Sequence, residues 1–561
     1  MLHRLLLPVV GVLLTADVAA AQQKCESLAG RTIGKATITS AVALAAGPYT
    51  PALAIPPATQ TARVETRVQA AAQPLAQPQA PANRLPAYCD VRGTIRPTPV
   101  SEIKFAVWLP QSGWNGKYRQ EGNGGWAGNI PYQAMIDPLI RGYVTAGTDN
   151  GHEGGGAMWA IGQPEKLIDF GYRAVHELSV HAKTITNEFY GKQPSRSYFV
   201  GCSDGGREGL MEAQRFPDDF DGMIVGAPAN RWSRLFTAFV WNELAQLETP
   251  LSRLSPEKLP AIERAVLTAC DKHDTVQDGL LEDPRSCKFD PAVLACSGVE
   301  NDSCLTAPQL TALRKIYEGP KNPRTGEQIY PGLPAGTESA TWRNWVAHAE
   351  PLRSTQAVLG IPYYGQAVFE DPKWNILTMD FDKDFAYGEE KAAPVLNSAS
   401  RDLRSYRARN GKIIQYHGWG DPAISAYASI EYYDAVRGFL SKYPDARSQS
   451  AGQIEDFYRL FLIPGMAHCA GGVGPHAFGT RGAVSPETMN DPHRDIFAAL
   501  EQWVEQGTAP EQFTGSGTSG SVPRTPLTRP ICLYPQVAHY KGSGDIYDAV
   551  SFSCVAPQAP R

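Results

Sequence analysis

From Ile103 onward the chain alternates between two textures. Runs dense in apolar and β-branched residues, IKFAVWLP, GYVTAGTDNGH and SYFVGCSDGG, are separated by segments long enough to hold helices. Before the third run, Leu167, Phe170, Ala174, Leu178, Ala182 and Ile185 recur at helical intervals, so residues 167–189 present one apolar stripe. Strand, helix and strand in that order predict a parallel α/β sheet. After GAPAN the texture changes. Residues 230–398 carry four cysteines, many prolines and few β-branched runs, which reads as an inserted domain. The strand texture resumes at GKIIQYHGWGD and FYRLFLIPGMAH. The expected organisation is therefore one α/β domain in two parts, residues 22–229 and 399–561, with the insertion between them.

The N-terminal region follows neither pattern. Residues 1–21 have a basic start, a short apolar run and a small-residue ending at Ala19 and Ala21, the layout of a signal peptide, so the expected mature chain is secreted or periplasmic. Residues 47–87, rich in Pro, Ala and Gln, are expected to be loosely ordered. No stretch reaches the roughly 20 uninterrupted apolar residues that a spanning helix needs, so no membrane anchor is expected.

Composition narrows the function. At 561 residues and 43% hydrophobic, the chain exceeds one compact core. A net charge of -5 with mixed signs offers no basic face for nucleic acid, which leaves a small molecule as the expected partner and the oligomeric state open. In an exported chain, ten cysteines predict five disulfides. Proximity in sequence suggests Cys270 with Cys287, Cys296 with Cys304 and Cys532 with Cys554, although spacing alone does not fix connectivity. The absence of any C-x-x-C pair argues against structural zinc.

The candidate chemistry centres on Gly201-Cys202-Ser203-Asp204-Gly205, a G-x-S-x-G pattern between a strand-like run and a helix former. Such a turn exposes Ser203 as a nucleophile, and a serine hydroxyl needs a base and an orienting carboxylate. In α/β-hydrolases these follow the serine, acid before histidine. Of His468, His476, His493 and His539, His468 ends a strand-like run and is assigned as base. Asp421 follows KIIQYHGWG and is assigned as acid, with His417 inside that run read as packing or support. Asp149 and His152 precede the serine and are read as a structural or pocket feature near the site. The expected oxyanion donors are the backbone N–H groups of Asp204 and Gly125, the latter in the loop GNGGW. If Ser203 and His468 meet, their neighbours Cys202 and Cys469 come close enough to bridge.

The Cys202-Ser203, Asp421 and His468-Cys469 constellation resembles the tannase and feruloyl esterase family, which includes bacterial hydrolases of the terephthalate half-ester MHET. The likeness runs from Cys25 to Cys554. It implies an α/β-hydrolase fold with residues 230–398 as a lid, and it supports Cys25 with Cys89 as well as the three local pairings. Within CDKHDTVQDGLLEDP, Asp271, Asp274 and Asp278, with the carbonyls of Val276 and Leu280, offer oxygen ligands; chemistry alone favours a plain acidic loop, and the resemblance implies a structural Ca²⁺. Trp126, Ile424, Tyr363 and Tyr364 are read as walls of an aromatic pocket. The reading is a serine esterase for aromatic acid esters, feruloyl esterase-like. Tannase and MHET hydrolase are its alternatives, though MHET hydrolases carry Phe where Ile424 aligns. An exported aromatic-ligand binding protein is the non-enzyme rival.

Overall fold

The structure, a computed structural model, describes residues 23–49, 84–443, 453–480 and 487–557. The expected signal peptide, and residues 50–83 of the Pro/Ala-rich segment, lie outside them. The two ends of that segment are joined, because Gly47–Pro48 pairs antiparallel with Arg84–Leu85.

Ten strands form the main sheet: β1 (Thr32–Ile33), β2 (Ala36–Leu44), β3 (Tyr88–Ile95), β4 (Ile103–Pro110), β5 (Lys117–Glu121), β6 (Val144–Thr148), β7 (Arg196–Cys202), β8 (Gly222–Gly226), β9 (Lys412–Gly418) and β10 (Tyr458–Ile463). Their spatial order is β1-β2-β3-β4-β6-β5-β7-β8-β9-β10. Pairing is antiparallel from β1 through to β6, and parallel from there to β10. Within the parallel half, β8 is a continuous apolar run, GMIVG, because helices cover both of its faces, whereas β5, KYRQE, buries polar side chains.

Alternation along each strand sorts side chains to those faces. Met223 and Val225 of β8 pack with Val175, Leu178 and Ile185 of α1 (Ala174–Tyr190) and with Leu210 of α2 (Asp204–Arg215). Between them Ile224 points the other way, into a cluster with Phe497, Leu500 and Trp503 of the C-terminal helix Ile496–Gln506. The helical stripe read from Leu167 to Ile185 is buried throughout, but it is not one regular helix. Asp169–Arg173 forms a π-turn ahead of α1. Its Phe170 and Gly171 carbonyls accept from the guanidinium of Arg207, a buried residue of α2.

Residues 230–398 lie between β8 and β9, which are adjacent in the sheet, and contribute no strand to it. They fold around α3 (Trp232–Ala245), α4 (Leu259–Cys270), α5 (Ala307–Glu318), α6 (Thr355–Pro362) and α7 (Lys383–Leu396). One cluster, including Leu254, Ile262, Leu313 and Trp342, is internal to the insertion. A second joins Trp232, Phe236, Tyr363 and Tyr364 to Trp126, Phe170 and Ile424 of the sheet domain, so the insertion is docked through a shared aromatic core. Five disulfides are present: Cys25–Cys89, Cys202–Cys469, Cys270–Cys287, Cys296–Cys304 and Cys532–Cys554.

Candidate active site

Strand β7 runs straight into α2 with only Ser203 between them. Its backbone has φ +66° and ψ −119°, a region that L residues rarely occupy. Two glycines permit the turn: a Cβ on Gly201 would meet the Gly205 backbone at 2.3 Å, and one on Gly205 would meet the Asn123 carbonyl at 2.9 Å. Asp204 opens α2, so its N–H has no intrahelical acceptor and is free for a developing oxyanion. Gly125 lies in the facing loop at φ +59°.

Buried polar bonds hold that loop against the helix. The Gly205 amide donates to the Asn123 carbonyl at 3.0 Å, and the Asn123 amide donates to Glu208 Oε2 of α2 at 3.0 Å. Glu208 Oε1 accepts from Asn150 Nδ2 at 2.7 Å. Burial, then the nearby Asp204 charge, pushes the Glu208 carboxyl up to about 7. His152, three residues beyond Asp149, makes a 3.0 Å hydrogen bond from Nε2 to the carbonyl of Trp126, the residue after Gly125. Burial depresses the His152 imidazole to about 4 and pushes the Asp149 carboxyl up to about 7.

The structure brings Asp421 and His468 together, with His468 Nδ1 2.7 Å from Asp421 Oδ2. The carboxylate is fixed from its other side, since Oδ1 accepts from the amides of Ala423 at 2.8 Å and Ile424 at 2.9 Å. Burial alone would raise the Asp421 carboxyl. His468 and then His417 outweigh it and hold it well below the ordinary carboxylate range. The Cys202–Cys469 bond, with 5.9 Å between Cα atoms, links the residue before Ser203 to the residue after His468. Among the described residues, Ser203 Oγ makes no hydrogen bond, so the serine–histidine contact itself is not formed here. Such contacts commonly tighten only when substrate binds. His476 and His539 lie on C-terminal strands and the His493 carbonyl accepts from the Thr514 amide; none of the three is a hydrogen-bond partner of Asp421.

Tyr363 and Tyr364 do not form the pocket wall assigned to them. Both are 0% exposed in the shared aromatic core, where their hydroxyls bond to the Gly388 carbonyl and to Thr237 Oγ1. Trp126 and Ile424, assigned to the same wall, are also buried, at 2% and 1%, in that core. Two residues of the insertion that the sequence reading missed lie at the front. The half-buried Trp345 meets the His468 ring edge to face at 5.3 Å, and the half-buried Leu359 lies beside Gly125. Trp345, in TWRNWVAHAE, stands on no periodic stripe that would have marked it.

In the acidic loop, Asp271 Oδ2 accepts from the Gly279 amide and Oδ1 is buried without a partner. Asp274 accepts from the Glu282 amide, while Asp278 accepts from the Leu280 amide and pairs with Arg529, which also pairs with Glu282. Among the described residues, no N–H donates to the carbonyls of Val276 or Leu280. Burial, then neighbouring carboxylates, raises Asp271 to about 6 and Asp274 to about 8.

A mostly parallel sheet with a strained serine turn at the end of a central strand, and an acid and a histidine after later strands, defines an α/β-hydrolase-fold esterase. The tannase and feruloyl esterase family model matches residues 89–555, and the chain belongs to that family. It is 40% identical to an uncharacterised esterase of Xanthomonas campestris pv. campestris, covering 99% of this chain and 94% of that protein. It is 32% identical to a mono(2-hydroxyethyl) terephthalate hydrolase of Piscinibacter sakaiensis, covering 85% and 86%. The crystal structure of feruloyl esterase B from Aspergillus oryzae superposes with a TM-score of 0.80 at 28% identity, covering 95% of this chain and 99% of that one. The protein is a carboxylic ester hydrolase of the feruloyl esterase and tannase type.

Proposed function

We propose that this esterase hydrolyses esters of aromatic acids through a Ser203–His468–Asp421 triad. Ser203 Oγ attacks the ester carbonyl carbon and passes its proton to His468 Nε2. The tetrahedral oxyanion lies against the N–H groups of Asp204 and Gly125, and collapse expels the alcohol, which takes the proton from His468. Water then repeats the sequence on the acyl-enzyme and frees Ser203. Asp421 holds the His468 Nδ1–H, keeping Nε2 toward the serine and stabilising the imidazolium. The observation that carries this reading is the 2.7 Å His468–Asp421 bond on a loop tied by Cys202–Cys469 to the nucleophile turn.

The substrate reading rests on relatives named for feruloyl esters and for mono(2-hydroxyethyl) terephthalate, with Trp345 and Leu359 as the aromatic and aliphatic sides of the acyl pocket. Residues 230–398 act as the lid. Structural Ca²⁺ is proposed at Asp271, Asp274, Asp278 and the carbonyls of Val276 and Leu280; the unpartnered Asp271 oxygen and the two free carbonyls fit a hard cation. Five disulfides and the N-terminal pattern support export.

The test is turnover of methyl ferulate, methyl gallate and mono(2-hydroxyethyl) terephthalate by wild type and Ser203→Ala, alongside fluorophosphonate labelling. Wild type should label at Ser203 and prefer one aromatic ester, and the variant should lose both properties while staying folded. An active Ser203→Ala enzyme refutes the triad, and an unlabelled, inactive wild type points to a binding protein.

A further inference from the structure

Asp421 has a second histidine beside it. His417, on β9, is fully buried, with Nε2 2.9 Å from the Ile424 carbonyl and 3.3 Å from Asp421 Oδ2. Both neighbours only accept, so Nε2 carries the hydrogen. Nδ1 lies 2.7 Å from Ser429 Oγ. That hydroxyl accepts from Gln415 Nε2 at 2.6 Å, and Gln415 Oε1 in turn accepts from the Tyr458 hydroxyl. Ser429 has one proton, and the remaining acceptor facing it is His417 Nδ1. Every hydrogen is thereby assigned in one direction, from Tyr458 through Gln415 and Ser429 to His417, and on to the Asp421 loop. All four side chains are at most 1% exposed, so a broken link would strand a buried polar group.

The chain ends on the peptide that shapes the acid. Asp421 Oδ1 holds the Ile424 amide while His417 holds the Ile424 carbonyl, which closes the 421–424 turn from both sides. With Oδ1 so engaged, Oδ2 is left facing the two imidazoles. We infer that His417 is a positioning residue for the acid, fixed as its Nε2–H tautomer by Tyr458, Gln415 and Ser429 so that Asp421 presents Oδ2 to His468. This rests on the catalytic reading of Asp421 and His468 given above.

The experiment compares wild type with His417→Leu, His417→Gln, Ser429→Ala and Asp421→Asn. It measures kcat and KM on p-nitrophenyl acetate and the downfield proton resonance of the His468 Nδ1–H. His417→Leu should lower kcat about 10- to 100-fold, the scale on which metal sites lose activity when an outer hydrogen-bond partner is removed, with KM little changed and the resonance moved upfield. His417→Gln, whose amide donates from nearly the same place, should recover most of both. Ser429→Ala should move the resonance in the same direction. A folded His417→Leu enzyme with wild-type kcat and an unmoved resonance overturns the inference. If that variant does not fold, unchanged kcat and resonance in Ser429→Ala overturn it instead. Full turnover by Asp421→Asn would remove the triad reading itself, whereas loss there with none in His417→Leu removes this inference alone.

Discussion

Ser203 occupies a backbone conformation suited to glycine, so its proposed role as nucleophile and the stability of the turn are in conflict. Ser203→Gly should therefore be more stable than Ser203→Ala by about 1 kcal/mol in urea unfolding, even after glycine's larger loss of chain entropy. Equal midpoints would mean that the turn stores no strain. His152 carries a pH signature. Burial lowers its pKa from 6.5 to about 4, so folding favours the neutral ring. That stability is fully present above about pH 6.5 and is lost as pH falls toward 4, by on the order of 3 kcal/mol. His152→Phe should be the less pH-sensitive of the two proteins across that window. Denaturant midpoints from pH 7.5 to 4.5 would show it, and parallel curves would count against the assignment.

Among the elements, the acidic loop after α4 makes the clearest prediction. Bound Ca²⁺ at 100 times its dissociation constant would stabilise the fold by about 2.7 kcal/mol. Chelation should therefore lower the melting temperature, Ca²⁺ should restore it, and Asp274→Asn should weaken the response; insensitivity of wild type to both treatments would leave the loop a plain acidic turn. How legible each element was depended on how local its cause is. The runs IKFAVWLP, KIIQYHG and YRLFLI are dense in apolar, aromatic and β-branched residues, and that density is visible residue by residue. The places of Ser203, Asp421 and His468 in the fold could be read because each follows a strand of the sheet. The π-turn at Asp169–Arg173 could not, since what draws its carbonyls outward is Arg207, more than thirty residues away. Tyr363 and Tyr364 were misread for a related reason. Aromatic clusters line pockets and fill cores alike, and only the packing of α3 against α6 decides which.

For the whole molecule, the Cys202–Cys469 bond spans 267 residues and crosses the entire insertion. The chain-entropy model assigns such a closure about 5 to 6 kcal/mol. Replacing both cysteines with alanine should lower stability by no more than that while reducing kcat further than stability explains, because Ser203 and His468 lose their tether. Chemical denaturation and turnover on the same samples separate the two effects, and full activity with reduced stability would leave the bond a structural clamp only. The shared aromatic core has a consequence for how such enzymes diversify. Trp126, Tyr363, Tyr364 and Ile424 join the insertion to the sheet domain, so altering them to admit a new acyl group endangers the fold as well as the pocket. Trp345 and Leu359 reach the site from a half-buried rim and carry less of that burden. Evolutionary drift in substrate preference should therefore run first through the rim, leaving the aromatic seam as the slow-changing hinge of the lineage.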